Sequence, residues 1–346
     1  MKKLQSSKPS LKQLATLKRK TVSVSYSNLV EAKPFYPETL MPLLVQPSVE
    51  GLNLATWAAS DREFIETHLL KHRGILFRGF QMPDTAEFEQ LLETLGGKLL
   101  KYSYRSTPRT HISGNIYTST EYPAEQFIPL HNEMAYTQNW PMKIAFYCVH
   151  PAQQGGATPI ADSRRVFERI DPNIRDYFLQ KKVMYVRNYG NGLDLSWQTV
   201  FQTNNPLDVE EYCRKAKIEY EWKDNNRLRT RQVCQSVAIH PKTGEMVWFN
   251  QAHLFHVSSL DSTVRDSLLA EFKEEDLPRN AYYGDGSPIE SSVLDAIREA
   301  YQQEMIVFPW QKKDILLLDN MLAAHGRQPF MGSRKVLAGM AQPYRI

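Results

Sequence analysis

Cysteine is scarce. Cys148, Cys213 and Cys234 are the only three, too few and too widely spaced for a disulfide framework or a zinc knuckle, and they suit a reducing compartment. No run of eighteen apolar residues occurs, which leaves no candidate for a spanning helix. With 16 Gly and 20 Pro among 346 residues, collagen-like and low-complexity architectures are excluded. Acid is missing from the first thirty residues, which carry seven basic side chains (Lys2, Lys3, Lys8, Lys12, Lys18, Arg19, Lys20). Removing those seven charges from the overall +4 leaves −3 for the rest, a mildly acidic body that argues against a nucleic-acid surface. The basic tail has no apolar stretch of the kind a secretory signal needs. An organelle transit peptide or a partner-binding arm are its functional readings; a solvated extension over residues 1–32 is the plainer one. What is present is an ordinary globular composition, 42% hydrophobic and 23% charged, so disorder is not the whole answer. The expectation is a soluble cytoplasmic protein with one domain over residues 33–346 and neither a membrane nor a nucleic acid as partner.

Local patterns place several elements. Asp61 opens a helix whose apolar residues Phe64, Ile65, Leu69 and Leu70 recur at helical spacing. Asp84-Thr85-Ala86-Glu87 has capping-box spacing ahead of a Phe88, Leu91, Leu92, Leu95 stripe that stops at Gly96-Gly97. Runs 74–80, 144–149, 233–239, 246–249, 315–319 and 336–340 read as strands. Asp171-Pro172 starts a further helix, and residues 190–231, rich in Asn, Lys, Arg and Glu, read as an exposed insertion. Two helices are expected in 261–305, the second capped at Ser287-Pro288-Ile289-Glu290. Strand-rich sequence on both sides of a mixed stretch points to one domain with an excursion.

Of nine histidines, only His131 has a carboxylate two residues on, in His131-Asn132-Glu133. Residues i and i+2 of a strand share a face, so this pair can grip one metal ion. With 38 acids in the chain, chance alone supplies about one such pair, and a surface His on a solvated strand is the bland alternative. Its surroundings strengthen the reading. Gly155-Gly156-Ala157-Thr158-Pro159 follows an apolar strand, and His325-Gly326-Arg327 leads, nine residues after His325, to Arg334.

These motifs resemble the iron(II)- and 2-oxoglutarate-dependent oxygenases of the TauD/TfdA group, which includes clavaminate synthase-like enzymes, and within it the branch typified by the syringomycin biosynthesis aspartyl hydroxylase. The resemblance runs from about residue 33 to the C-terminus and is strongest over 100–165 and 315–343. It implies a mainly β fold with helices (α+β): a double-stranded β-helix, or jelly roll, with a mixed helical insertion over 165–310 acting as a partial lid. It further implies that His131, Glu133 and His325 hold Fe(II), and that Arg334, helped by Thr158, clamps the far carboxylate of 2-oxoglutarate. O2 and 2-oxoglutarate would be consumed, with succinate and CO2 as coproducts. Two imidazoles and one carboxylate on one face of iron leave open positions, and an arginine fork suits a carboxylate. Glu133 argues against a halogenase, in which a small residue stands at that position. A zinc hydrolase would give no reason for Thr158 and Arg334 together.

The activity so implied is hydroxylation of an unactivated C–H bond of an amino acid, or of a peptide-like or carrier-tethered biosynthetic intermediate. Desaturation or ring closure would use the same iron chemistry, and a metal-binding sensor without turnover is the non-enzyme alternative. Sulfonate-hydroxylating members carry a second arginine four residues after the clamp, where this chain has Ala338, which argues against taurine. Arg105 and Glu121, in the polar and aromatic stretch before the metal strand, are expected to meet the carboxylate and amine of the substrate. His253 and His256 read as packing, Lys335 as solvated, Arg327 as half of an ion pair, and Trp248, Phe249 and Asn250 as core or pocket floor.

Overall fold

The structure, a computed structural model, describes residues 29–346 except 83, 101–103, 105, 108 and 191. Most of the basic extension therefore lies outside the described residues, as does Arg105; residues 30–32, expected to belong to that extension, are instead part of the first strand. The strands in chain order are β1 (Val30–Pro34), β2 (Leu43–Pro47), β3 (Gly74–Phe77), β4 (His111–Ser113), β5 (Ile116–Thr118), β6 (Ile128–His131), β7 (Asn139–His150), β8 (Gln154–Gly155), β9 (Ile160–Asp162) and β10 (Val183–Tyr189). They continue as β11 (Glu219–Lys223), β12 (Arg227–Cys234), β13 (Val237–Ile239), β14 (Met246–Trp248), β15 (Arg279–Tyr283), β16 (Ile315–Asp319), β17 (Ala323–Arg327), β18 (Phe330–Met331) and β19 (Lys335–Arg345).

An eight-stranded sheet in the order β1-β2-β3-β16-β7-β19-β5-β4 forms the larger layer of the jelly roll, and β6-β17-β9 forms the smaller one. Strand β16 shows why the large sheet is central. All five of its residues are buried, because alternate side chains serve two different cores. Leu316 and Leu318 join Ile144, Phe146, Ala338 and Met340 between the sheets. Ile315 and Leu317 join Tyr147, Leu337 and the helices Arg62–His72 and Thr85–Gly96 on the outer face. Both of those helices sit where the apolar spacing predicts. Asp84 caps the second as expected, its side chain accepting from the Glu87 backbone N at 3.0 Å.

The stretch 190–231 differs from its expectation. It is a packed unit: β11-β12-β10-β15 form a four-stranded sheet, and Trp197, Val200, Val209, Cys213, Ile218 and Leu228 bury themselves in its core. Charged residues on the outer faces of its strands and helices mask an apolar face that only the tertiary fold closes. In 261–305 two helices form as expected, Ser262–Glu271 and Ser291–Gln303, but strand β15 lies between them. The second helix starts after Glu290, because Pro288 is drawn into a bridge with Tyr282 and Ser287 into a turn with Asp285. Among the described residues no helix is long and apolar enough to cross a membrane.

Candidate active site and metal centre

Pairing of β6 with β17 sets His131 directly opposite His325, although 194 positions separate them in the chain. Their rings lie 4.6 Å apart between centroids, and Phe146 packs on His325 at 4.9 Å. The register shifts just after His325, where Gly326 lets the strands close up: a Cβ there would stand 2.5 Å from the Ile128 carbonyl oxygen. Strand β6 ends at His131, so Glu133 reaches the site from the following turn rather than from the same strand face. That turn is pinned by Asn320, which is fully buried. Its Oδ1 accepts from the Glu133 backbone N at 2.7 Å, and its Nδ2 donates to the carbonyls of Glu133 and Pro141 at 2.9 and 2.8 Å.

One donor atom from each of His131, Glu133 and His325 falls within 4.8 Å of the others. The His131 Nδ1 faces the Pro129 carbonyl at 2.8 Å; a carbonyl only accepts, so Nδ1 carries the proton and Nε2 presents its lone pair. Burial above all, and then His325, push the His131 pKa down to about 3, which keeps the ring neutral and ready to ligate. Burial works against the charge on Glu133, but the Arg109 guanidinium and His325 outweigh it and hold the carboxyl well below the usual range. Arg109 Nη2 donates to Glu133 Oε2 at 2.6 Å, and His325 Nε2 lies 3.7 Å from the same oxygen. Two imidazoles with an ionised carboxylate make the donor set that a divalent iron takes, so the residues present fit the metal.

Two cavities meet at this centre. The narrow one is lined by Ser119, Phe146, Thr158, His325 and Arg334. Arg334 donates through Nε to the Gly156 carbonyl at 2.8 Å and through Nη1 to Ser119 Oγ at 3.3 Å. Gly156 has φ +70° and approaches Arg334 so closely that a Cβ would stand 3.0 Å from its Cδ. Burial, and then Arg327, bring the Arg334 pKa down to about 10, leaving it cationic at neutral pH. The wide cavity, about 710 Å³, is lined by His131, Glu133, Arg109 and Ile128 on one side and by Asp194, Phe255, Leu260 and Arg279 on the other. Arg279 is held by Asp194 at 2.6 Å and lies over the Phe255 ring at 5.5 Å. His131 and Arg109 border both cavities.

The remaining expectations fare unevenly. Glu121 is exposed, accepts from Thr118 Oγ1 at 2.8 Å and lines neither cavity. Among the described residues Arg327 makes no ion pair within 4.0 Å; it binds the carbonyls of Tyr122, Pro123 and Gln126 at 2.9, 2.6 and 2.8 Å and shapes the loop ahead of β6. His253 packs on Tyr301 and meets the Leu130 carbonyl at 2.9 Å, His256 turns to Ser258, and Trp248, Phe249 and Asn250 are core. Sequence reasoning missed Arg109, Ser119, Asn320 and the Arg279–Asp194 pair. Only the polar character of the stretch before β6 hinted at the first two.

The taurine catabolism dioxygenase TauD, TfdA family matches residues 38–341. This chain belongs to the TauD/TfdA family. As a member it is an iron- and 2-oxoglutarate-dependent oxygenase with O2 as cosubstrate. Among relatives, the dapdiamide synthesis protein DdaC of Enterobacter agglomerans is 43% identical over 310 residues, 86% of this chain and 94% of that one. A clavaminate synthase-like protein of Arabidopsis thaliana is 28% identical over 325 residues, 90% of this chain and 95% of that one. The solved structure of PvcB from Pseudomonas aeruginosa superposes with a TM-score of 0.54 at 16% identity, covering 90% of this chain and 91% of that one. That likeness carries the jelly-roll fold.

Proposed function

We propose that this TauD/TfdA oxygenase hydroxylates an unactivated C–H bond of a small amino-acid-like or peptide-like substrate, free or carrier-tethered, in a biosynthetic pathway. His131, Glu133 and His325 would hold the iron, and Thr158 and Arg334 the far carboxylate of 2-oxoglutarate. The observation that carries this reading is the junction of the two cavities at His131, with a narrow pocket bearing Thr158 and Arg334 for a dicarboxylate on one side and about 710 Å³ for substrate on the other. When bound, iron, 2-oxoglutarate and O2 supply the oxidising power, and succinate and CO2 are released. The protein orients and encloses. His131 is held by Pro129, Glu133 by Asn320 and Arg109, and Arg334 by Gly156 and Ser119, so each polar group keeps its aim as ligands enter.

Two relatives support a biosynthetic setting: DdaC is a dapdiamide synthesis protein, and PvcB comes from an isonitrile synthetic pathway. The segment 165–310 serves as the lid in this reading, since Asp194, Phe255, Leu260 and Arg279 all come from it and face the wide cavity. Three buried, unpaired thiols, two of them with pKa values pushed by burial up to about 12, suit a cytoplasmic location. Oxygen uptake screened over amino acids, free and carrier-loaded, with product mass read for one added oxygen atom, identifies the substrate. His131→Ala and His325→Ala are expected to abolish succinate formation. Normal turnover by either variant would contradict the assignment of the triad.

A further inference from the structure

A threonine hydroxyl donates one hydrogen bond and accepts two, whereas an indole N–H only donates. Trp310 Nε1 lies 3.1 Å from Thr158 Oγ1, and both residues are buried. Chemistry therefore settles the direction of this bond: Thr158 accepts, and its own proton points elsewhere. Among the described residues no acceptor is found for that proton, and Thr158 lines the narrow cavity that Arg334 faces. We propose that Trp310 is a positioning residue for 2-oxoglutarate, its N–H fixing the Thr158 hydroxyl as a donor toward the carboxylate that Arg334 clamps. This rests on the reading above that Thr158 and Arg334 hold that carboxylate. Trp310 does not line the cavity and acts through Thr158.

The segment bearing Trp310 is anchored well enough for the task. Ile306 exchanges backbone hydrogen bonds with Ile160, two residues beyond Thr158, at 2.8 and 2.9 Å. Tyr36 donates to the Val307 carbonyl at 2.7 Å, and Arg78 reaches the Pro309 carbonyl at 2.8 Å while pairing with Asp314. Phe308 packs edge-on against the indole at 5.7 Å. The ring is thus held from β9 on one side and from the outer layer on the other, and the direction of the hydroxyl proton is set before any ligand arrives. A carboxylate then meets a donor already turned toward it, without the entropic cost of choosing among hydroxyl rotamers.

The test uses Zn(II)-loaded protein, which has no redox chemistry, titrated calorimetrically with 2-oxoglutarate and with 2-oxobutyrate, which keeps the chelating end and lacks the second carboxylate. Trp310→Phe is expected to weaken 2-oxoglutarate binding about three- to tenfold and to leave 2-oxobutyrate binding unchanged. Thr158→Val should weaken 2-oxoglutarate comparably, and Trp310→Phe added to it should cost nothing more. Equal losses in both backgrounds, equal losses for both ligands, or no loss at all would overturn the role of Trp310. If Thr158→Val and Arg334→Ala leave 2-oxoglutarate affinity untouched, the reading of the cavity itself fails and takes the proposal with it. Should the Phe variant fail to fold, 3-benzothienylalanine at position 310, of the same shape without the N–H, is measured in the same way.

Discussion

The chemistry of the site is decided by what each polar atom has left to offer. His131 has spent Nδ1 on a carbonyl, Arg334 has spent Nε on Gly156, and Glu133 is kept ionised by Arg109. Arg334 makes the sharpest residue-scale prediction. A charge-assisted, partly buried contact to a carboxylate is worth about 1.5–3 kcal/mol, so Arg334→Ala should raise the KM for 2-oxoglutarate roughly ten- to a hundredfold. Initial-rate kinetics should find kcat changed far less; a lost kcat at unchanged KM would refute the clamp. At this scale the sequence was informative where a motif is short. His131 and Glu133 stand two positions apart, and Arg334 follows His325 closely enough to form a pattern. Arg109 could not be read, because nothing at position 109 reveals that its guanidinium meets a carboxylate 24 residues later.

Between residue and fold stand the turns and strand pairs that aim the side chains. Asn320 ties the Glu133 turn to the end of β16, and its removal strands buried backbone groups. Asn320→Ala should cost about 2–4 kcal/mol of stability and weaken metal affinity together, read by chemical denaturation and metal titration. An intact metal site in a destabilised variant would show that Asn320 supports the fold alone. His253 carries a pH prediction. Burial above all pushes its pKa down to about 4 against the usual 6.5; the hydrogen bond to the Leu130 carbonyl opposes that shift, and the nearby Arg298 charge adds a little to it. The folded state thus binds fewer protons there than the unfolded one. Its contribution is complete above pH 6.5 and is lost as pH falls through about 4, at a cost of a few kcal/mol. Denaturation curves of His253→Gln should fall less steeply over that window than those of the parent; parallel curves would show that another group is responsible. The helices Arg62–His72 and Thr85–Gly96 were legible at this scale because period and caps are local. Strand β15 and the late start of the helix after Glu290 were not, because both depend on partners far away in the chain.

For the whole molecule, a candidate triad drawn from β6, the turn after it and the distant β17 would make metal binding a property of the folded state. A ligand that binds only the native state stabilises it by RT ln(1 + [L]/Kd), about 2.7 kcal/mol at a hundredfold excess over Kd. Anaerobic Co(II) or Mn(II) should therefore raise the unfolding midpoint, chelator should reverse the rise, and His325→Ala should abolish it. An equal rise in that variant would place the metal elsewhere. The same architecture explains the division of labour between layers. The central strands of the large sheet, buried on both faces, are the rigid support, while the segment bearing Asp194 and Arg279 closes the wide cavity from the other side.

Composition, apolar spacing, helix caps and two short motifs determined the class of protein, several of its helices and central strands, and the residue types of the candidate iron site, because each is a pattern among neighbours. The meeting of His131 with His325, the support from Arg109 and Asn320, the bond from Trp310 to Thr158 and the packing of 190–231 into a four-stranded sheet with β10 and β15 were decided only by the fold. Strand register and sheet closure bring together side chains that no local period relates, and burial then settles which of their atoms remain available.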